Sequence, residues 1–188
     1  NPGALDEHTT MVNPSSVYGV TKVCGEQLTA VYGRDYHVAT SALRICPVYG
    51  PGRSTHCIVR SFIEDALAGT VSRVAFGADL PRQYVHVDDV VGAIAAALRA
   101  GSHPAGMAIN ISGGEVLTVG DIAAIVTDLL PTARIEFGHG PDPDDRDVQG
   151  PFVLTRAKEI LGFDPQVSMR DGIARYIEHL TTHAGEQA

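Results

Sequence analysis

The chain has no block of basic residues: its acidic residues outnumber lysine and arginine, and the formal net charge is -8 at pH 7 over 188 residues. A nucleic-acid surface needs clustered lysine and arginine to displace the counterions of the phosphates. The chain also has no apolar run of membrane-spanning length, and no signal peptide opens it. We therefore predict a soluble protein with neither a nucleic acid nor a membrane among its partners.

Cysteines are few as well. Cys24, Cys46 and Cys57 are scattered and form no C-x-x-C motif, which is typical of reduced thiols in a cytosolic protein. His179 and His183 lie four residues apart near the C-terminus, but a zinc site needs further ligands and none lies nearby in the sequence. We predict no metal site, and we expect the protein to be cytoplasmic.

Helices and strands alternate through most of the chain, which predicts the α/β class. The first predicted helix runs from a cap at Ser15 or Ser16 to about residue 36. The other predicted helices cover 58–69, 88–101, 117–131, 155–163 and 168–180, and the predicted strands cover 37–45, 73–76, 83–87, 107–112 and 133–137. Missing is the strand, glycine-rich turn and helix with which a complete doubly wound dinucleotide-binding domain opens.

Tyr18 and Lys22 lie four residues apart in the first predicted helix, so their side chains share one face. A lysine ammonium beside a phenol stabilises the phenolate. A tyrosine held in this way can exchange a proton with an alcohol or a carbonyl, which is the proton half of hydride transfer to a nicotinamide. The spacing alone fits an ordinary surface helix equally well, so both interpretations stay open on this evidence.

Five ordered segments resemble the extended short-chain dehydrogenase/reductase family, the NAD-dependent epimerases and dehydratases. They are YGVTK with GEQL, LRICPVYGPG, VAFGADLPRQYVHVDDVVGAIAAAL, INISGGEVLTVGDIA and TRAKEILGFDPQVSMRDGI. The resemblance implies the C-terminal part of a doubly wound, Rossmann-like parallel sheet plus a small mixed α/β substrate-binding region. Residues 1–50 would belong to the dinucleotide-binding domain and 51–188 mainly to the substrate-binding region, with a strand and helix at about 84–112 returning to the Rossmann sheet.

The same resemblance implies an enzyme. Tyr18 would be the general acid/base, and Lys22 would hold the nicotinamide ribose of NAD or NADP and stabilise the phenolate. Pro47, Val48 and Tyr49 would line the cofactor site beside them. The family's first half supplies the phosphate loop, the choice between NAD and NADP, and a Ser/Thr partner for the tyrosine. None of these has a counterpart here, so we expect the chain to begin partway through the family fold.

Four residues are the implied substrate contacts: Arg53, Ser61, Arg82 and Arg146. Arg82 stands where the family has an arginine that can fork onto a phosphate or carboxylate. Pro47 and Ser61 replace two asparagines of the family's nucleotide-sugar enzymes, and Arg146 is one position out of register with the family's R-x-G-D. These departures leave three substrate classes open: a nucleotide sugar, another sugar or sugar acid, and a smaller hydroxy-carbonyl compound.

Three polar residues around the predicted strand 83–87 admit a second interpretation. His86 could be an acid/base, but a structural histidine is the interpretation we favour. Asp88 and Asp89 resemble a catalytic carboxylate pair, although helix capping explains them better.

Association is a further expectation. The predicted strand 37–45 would lack its inner neighbour, and an open strand edge favours pairing with another chain. The family already pairs through two helices per subunit, one of them the tyrosine helix, so we predict a homodimer. Two functions remain: the C-terminal portion of an NAD(P)-dependent sugar or nucleotide-sugar epimerase, dehydratase or reductase, or a truncated, non-catalytic module that binds a ligand or dimerises.

Overall fold

A computed structural model describes residues 3–8, 14, 16–100, 106–142 and 150–183. Its helices are α1 Val17–Tyr36, α2 Ile58–Ala68, α3 Val87–Arg99, α4 Val119–Leu129, α5 Thr155–Leu161 and α6 Met169–His183. Its strands are β1 Ser41–Ile45, β2 Val48–Tyr49, β3 Val71–Val74, β4 Pro81–Gln83, β5 Val85–His86, β6 Met107–Ile111, β7 Val116–Thr118 and β8 Arg134–Phe137. The predicted α/β class is confirmed.

The strands form four pairs. β1 and β6 run parallel over five residues, from Ser41 opposite Met107 to Ile45 opposite Ile111. β2 with β5 and β3 with β8 are also parallel, whereas β4 and β7 are antiparallel. Parallel strands need a crossover connection, and the long segment between β1 and β6 is that connection. The proposed division of the chain near residue 50 stays a prediction.

Two apolar cores hold these elements together. One lies between α2, α4 and α6 and includes Phe62, Ile122 and Ile173. The other lies around the β1–β6 pair and includes Ile109 and Phe163. Burying a side chain of this size contributes about 1.5–3 kcal/mol, so each core fixes the elements around it. Among the helices of the described residues, none combines the length and apolarity needed to cross a membrane.

The outer side of β6 is occupied by side chains of distant segments. The Asn110 N–H donates to Glu7 Oε1 at 2.8 Å, and Arg156 Nη1 donates to the Ala108 carbonyl at 2.7 Å. The backbone of Leu5 pairs in turn with Pro151 and Val153, with N···O distances of 2.8 and 2.9 Å. These hydrogen bonds hold the segment 5–7 against the outer side of β6.

Local signals placed several helix ends correctly. Ser16 caps α1, accepting the Gly19 N–H at 3.0 Å, while the other candidate, Ser15, lies outside the described residues. The capping box of Thr118 and Asp121 is formed in full at the start of α4. Ser168 accepts the Asp171 N–H at 3.1 Å at the start of α6.

Other boundaries differ from the prediction. The single strand expected over 83–87 is two strands, β4 and β5, and residue 87 already begins α3. The loop expected after residue 45 contains β2, because that segment pairs with β5. The first strand is confined to Ser41–Ile45, since His37 ends α1 in the left-handed conformation, with φ of 55°.

The two aspartates at the start of α3 also have different partners from those expected. His86 is the N-cap residue, and its Nδ1 accepts the Asp88 N–H at 3.2 Å. Asp89 is buried and accepts the backbone N–H groups of Gln166 and Val167 at 3.0 and 3.1 Å. The Asp89 carboxylate therefore joins α3 to the segment that precedes α6, and does not cap its own helix.

Candidate active-site cleft

Helix α1 carries Tyr18 and Lys22 one turn apart near its capped start. The Lys22 Nζ lies 5.0 Å from the centroid of the Tyr18 ring, a cation–π distance. The Tyr18 side chain is exposed. The phenol can therefore be reached by a ligand from outside the helix.

A cleft of about 1220 Å³ opens between α1 and the segment that follows β1. Its lining includes six of the residues singled out from the sequence: Tyr18, Lys22, Pro47, Val48, Tyr49 and Arg53. Val87 and Phe152 are also among the lining residues. The cleft runs along β1 from Ala42 and continues past the carboxyl end of the strand to Thr55. In open α/β sheets, ligands bind outside the carboxyl ends of the strands.

Polar contacts between helix and sheet determine where α1 sits. Arg44 on β1 donates from Nε and Nη2 to the two carboxylate oxygens of Glu26, at 2.9 and 2.5 Å. Its Nη1 donates to the Glu7 carbonyl at 3.3 Å, and the Glu26 hydrogen bond is the largest cause raising the Arg44 pKa. Thr40 Oγ1 donates to the Thr29 carbonyl at 2.8 Å. The tyrosine helix is thus tied to β1 by a bidentate ion pair.

The far wall of the cleft is a turn that only glycine can make. Gly50 has a φ of 123°, and a Cβ there would meet Val87 and His86 at about 3 Å. Arg53 fastens the same turn, because its guanidinium donates to the carbonyls of Val48, Thr55 and His56. Arg53 therefore lines the cleft with donors that the chain itself already uses.

Tyr49 and His86 lie side by side beneath this turn. The Tyr49 ring is buried, its hydroxyl lies 3.4 Å from the Ser168 carbonyl, and burial raises its pKa. The His86 ring stands edge-on to it, with centroids 5.3 Å apart, and burial lowers the pKa of the imidazole. The buried Nε2 of His86 has no hydrogen-bond partner among the described residues. Both buried rings pack beneath the turn at Gly50 and support the wall of the cleft.

Two of the expected substrate contacts that the structure describes, Arg82 and Ser61, do not line the cleft. Arg82 pairs with Asp142 at 2.7 Å, and both side chains are only 13% exposed. Ser61 lies on α2, and its Oγ is 3.4 Å from the Nε2 of His56, which precedes that helix. Arg146 lies outside the described residues. In the described part of the chain, no group of three or more histidine, cysteine or acidic side chains could hold a metal ion.

Glu26 and Arg44 also line the cleft, and the sequence analysis gave neither of them a role. Glu26 continues the spacing of four from Tyr18 and Lys22, and that rhythm was available in the sequence. Its partner on β1 could not be read from the sequence, since the two residues are 18 apart.

Parallel strand pairs with helices between them, and a cleft that extends past the carboxyl end of β1, are typical of a Rossmann-like protein. Residues 1–112 match the model of the NAD dependent epimerase/dehydratase family, which is more than half of the chain. The chain belongs to this family.

Individual relatives agree with this assignment. The chain is 35% identical over 179 residues to UDP-glucose 4-epimerase of Mycolicibacterium smegmatis, covering 89% of this chain and 53% of that protein. It is 27% identical to dTDP-glucose 4,6-dehydratase of Streptomyces niveus, covering 94% and 52%. UDP-glucuronic acid 4-epimerase from Bacillus cereus, solved with UDP-glucuronic acid and NAD, superposes with a TM-score of 0.85 at 26% identity, covering 97% and 57%. The chain thus spans about half the length of the relatives it matches.

Proposed function

We propose that this chain is the C-terminal portion of an NAD(P)-dependent nucleotide-sugar epimerase, dehydratase or reductase. The observation that carries the proposal is the shared cleft: Tyr18, Lys22 and the turn after β1 line one cavity. A phenol and an ammonium facing a cavity of this size fit proton exchange with a bound alcohol or carbonyl. The activity of the family is consistent with that chemistry.

Each residue would have a separate task. Tyr18 would take the proton from a substrate hydroxyl and return it. Lys22 would hold the phenolate in place and donate to a ribose hydroxyl of the cofactor, while Pro47 and Val48 form the wall beside it. NAD, when bound, supplies the hydride acceptor. These residues fit the nicotinamide end of a dinucleotide, and the phosphate end would have to be held by segments outside this sequence.

A nucleotide sugar is the substrate class we favour. The support is that the relatives above act on, or were solved with, UDP- and dTDP-sugars. Arg53 lines the cleft and is the first candidate for a substrate contact, for which its guanidinium would have to release a backbone carbonyl that it now binds. Arg82 would need its ion pair with Asp142 to open before it could bind a phosphate, and Ser61 and Arg146 stay predictions.

We also propose a cytoplasmic homodimer that associates through α1. Besides Tyr18, five apolar or aromatic side chains of this helix are exposed: Val17, Val20, Leu28, Tyr32 and Tyr36. An exposed set of this kind favours burial against another chain. The same surface keeps open the second candidate function, a non-catalytic dimerisation module.

A titration with NADH, followed by fluorescence, tests whether the chain alone holds the cofactor. We expect no binding up to millimolar NADH, because the described residues offer no cradle for the phosphates. Saturable binding at about micromolar affinity, worth roughly 8 kcal/mol, would mean that the chain completes the site without the half of its relatives that it does not cover.

The catalytic assignment is tested by supplying that half. The chain is fused to the part of the Mycolicibacterium smegmatis relative that it does not cover, and conversion of UDP-glucose is measured. Tyr18→Phe should keep NADH binding and lose about 100-fold or more in turnover, whereas Tyr36→Phe, at the exposed end of α1, should change neither. A fusion that binds NADH and turns over equally well with Tyr18→Phe would refute the role of Tyr18.

A further inference from the structure

Lys22 has two groups within reach along its own helix. The Tyr18 phenol lies one turn before it and the Glu26 carboxylate one turn after it. Side chains four residues apart on a helix are neighbours, and all three residues line the cleft. An ion pair with Glu26 would draw the ammonium away from the phenol. The arrangement of the other charges around Glu26 therefore determines which of the two groups Lys22 contacts.

The structure shows both carboxylate oxygens of Glu26 taken by the planar guanidinium of Arg44. The pair is largely shielded, with side-chain exposures of 19% for Arg44 and 18% for Glu26. Bidentate arginine–carboxylate pairs are among the strongest hydrogen-bonded contacts in proteins. Lys22 lies over the Tyr18 ring, and within the described residues it forms no ion pair with Glu26.

We propose that Arg44 is a positioning residue: by binding Glu26 it leaves the Lys22 ammonium to Tyr18 and to the cofactor ribose. The proposal rests on the function proposed above, since it assigns Arg44 a task in the same site. Without Arg44, the partly buried Glu26 carboxylate loses its counter-charge. A shielded carboxylate without a partner is unfavourable, and the cation one turn away on its own helix is Lys22.

The sequence allows a direct measurement because it contains two lysines, Lys22 and Lys158. In the full chain labelled with 15N-lysine, NMR shows two side-chain ammonium signals, and Lys158→Arg assigns them. We expect Arg44→Met to shift the Lys22 signal and to leave the Lys158 signal in place. Adding Glu26→Gln to Arg44→Met should return the Lys22 signal to its original position.

Two results would overturn the proposal. One is a Lys22 signal that does not move in a folded Arg44→Met chain. The other is a signal that stays shifted in the double variant, which would assign Arg44 a packing role alone.

If Arg44→Met does not fold, Glu26→Gln alone still tests the premise that Glu26 does not contact Lys22. We expect it to leave the Lys22 signal unchanged, because Glu26 serves Arg44 and not Lys22. A shift on Glu26→Gln would show that Glu26 already contacts Lys22, contrary to the proposal.

The NMR measurement needs neither cofactor nor turnover. A fusion that turns over equally well with Tyr18→Phe would therefore refute the role of Tyr18, and the charge arrangement of α1 would still be decided by the Lys22 signal. Conversely, an unmoved Lys22 signal would refute the role of Arg44 without touching the role of Tyr18.

Discussion

Replacing Asp89 with asparagine should destabilise the protein far more than the same change at Asp88. The Asp89 carboxylate is buried and accepts the N–H groups of Gln166 and Val167. Asparagine keeps one acceptor oxygen and turns an NH₂ group toward a backbone donor. One charge-assisted hydrogen bond is lost and one buried N–H is left unpaired, which together cost about 2–4 kcal/mol.

Asp88 provides the matched control on the next residue. Its side chain is 62% exposed, and its ion pair with Arg175 has an N···O distance of 3.2 Å in a solvated setting. Exposed pairs contribute about 0–1 kcal/mol, and its place in the first turn of α3 adds a few tenths through the helix dipole. We expect Asp88→Asn to cost less than about 1 kcal/mol.

Urea unfolding followed by circular dichroism measures both variants, with the m-value checked for two-state behaviour. In a thermal unfolding experiment on a chain of this size, a loss of about 3 kcal/mol lowers Tm by roughly 6–12 °C. The two variants should therefore be well separated by either method. Equal losses for the two variants, or a loss below about 1 kcal/mol for Asp89→Asn, would refute the role given to Asp89.

Three further predictions follow from the cited geometry. Gly106→Ala should destabilise the contact of α1 with β1, because Gly106 has a φ of 74° and an added Cβ would overlap the α1 backbone. Gly92→Ala, on the open face of α3, should be neutral or stabilising by up to about 1 kcal/mol. Thermal unfolding compares the two variants. Since burial lowers the pKa of His86, the unfolded chain takes up this proton first as the pH falls below about 6.5, so stability should fall there. His86→Gln should reduce the slope between pH 7.5 and 5.5, while the exposed His139 changed to Gln should not. A thiol reagent should modify Cys24 quickly and the two buried cysteines slowly; three equally fast thiols would contradict the described burial.

What the sequence could predict depends on how far apart the interacting groups are. The capping box at Thr118 and Asp121 was readable because both partners lie within one turn of one helix. The spacing of Tyr18 and Lys22 was readable for the same reason. The family resemblance then added the identity of the cleft, which no local pattern could supply.

Long-range contacts were not readable. Arg82 stays a predicted substrate contact, and its ion pair with Asp142, 60 residues away, could not be predicted from the sequence. β2 was expected to be a loop because proline and glycine surround it, and only the pairing with β5 makes it a strand. In each case the partner is set by the folded arrangement, and a single segment carries no trace of it.

The occupied outer side of β6 also limits the edge at which a further strand can be added to the sheet. Glu7 and Arg156 bind the backbone groups there. These groups are therefore not available to pair with a strand from another chain. Within the described β1–β6 pair, addition is left to the β1 side. Two copies joined edge to edge through β1 would each use up their available edge, so that mode of association stops at a closed pair and does not continue into a fibre.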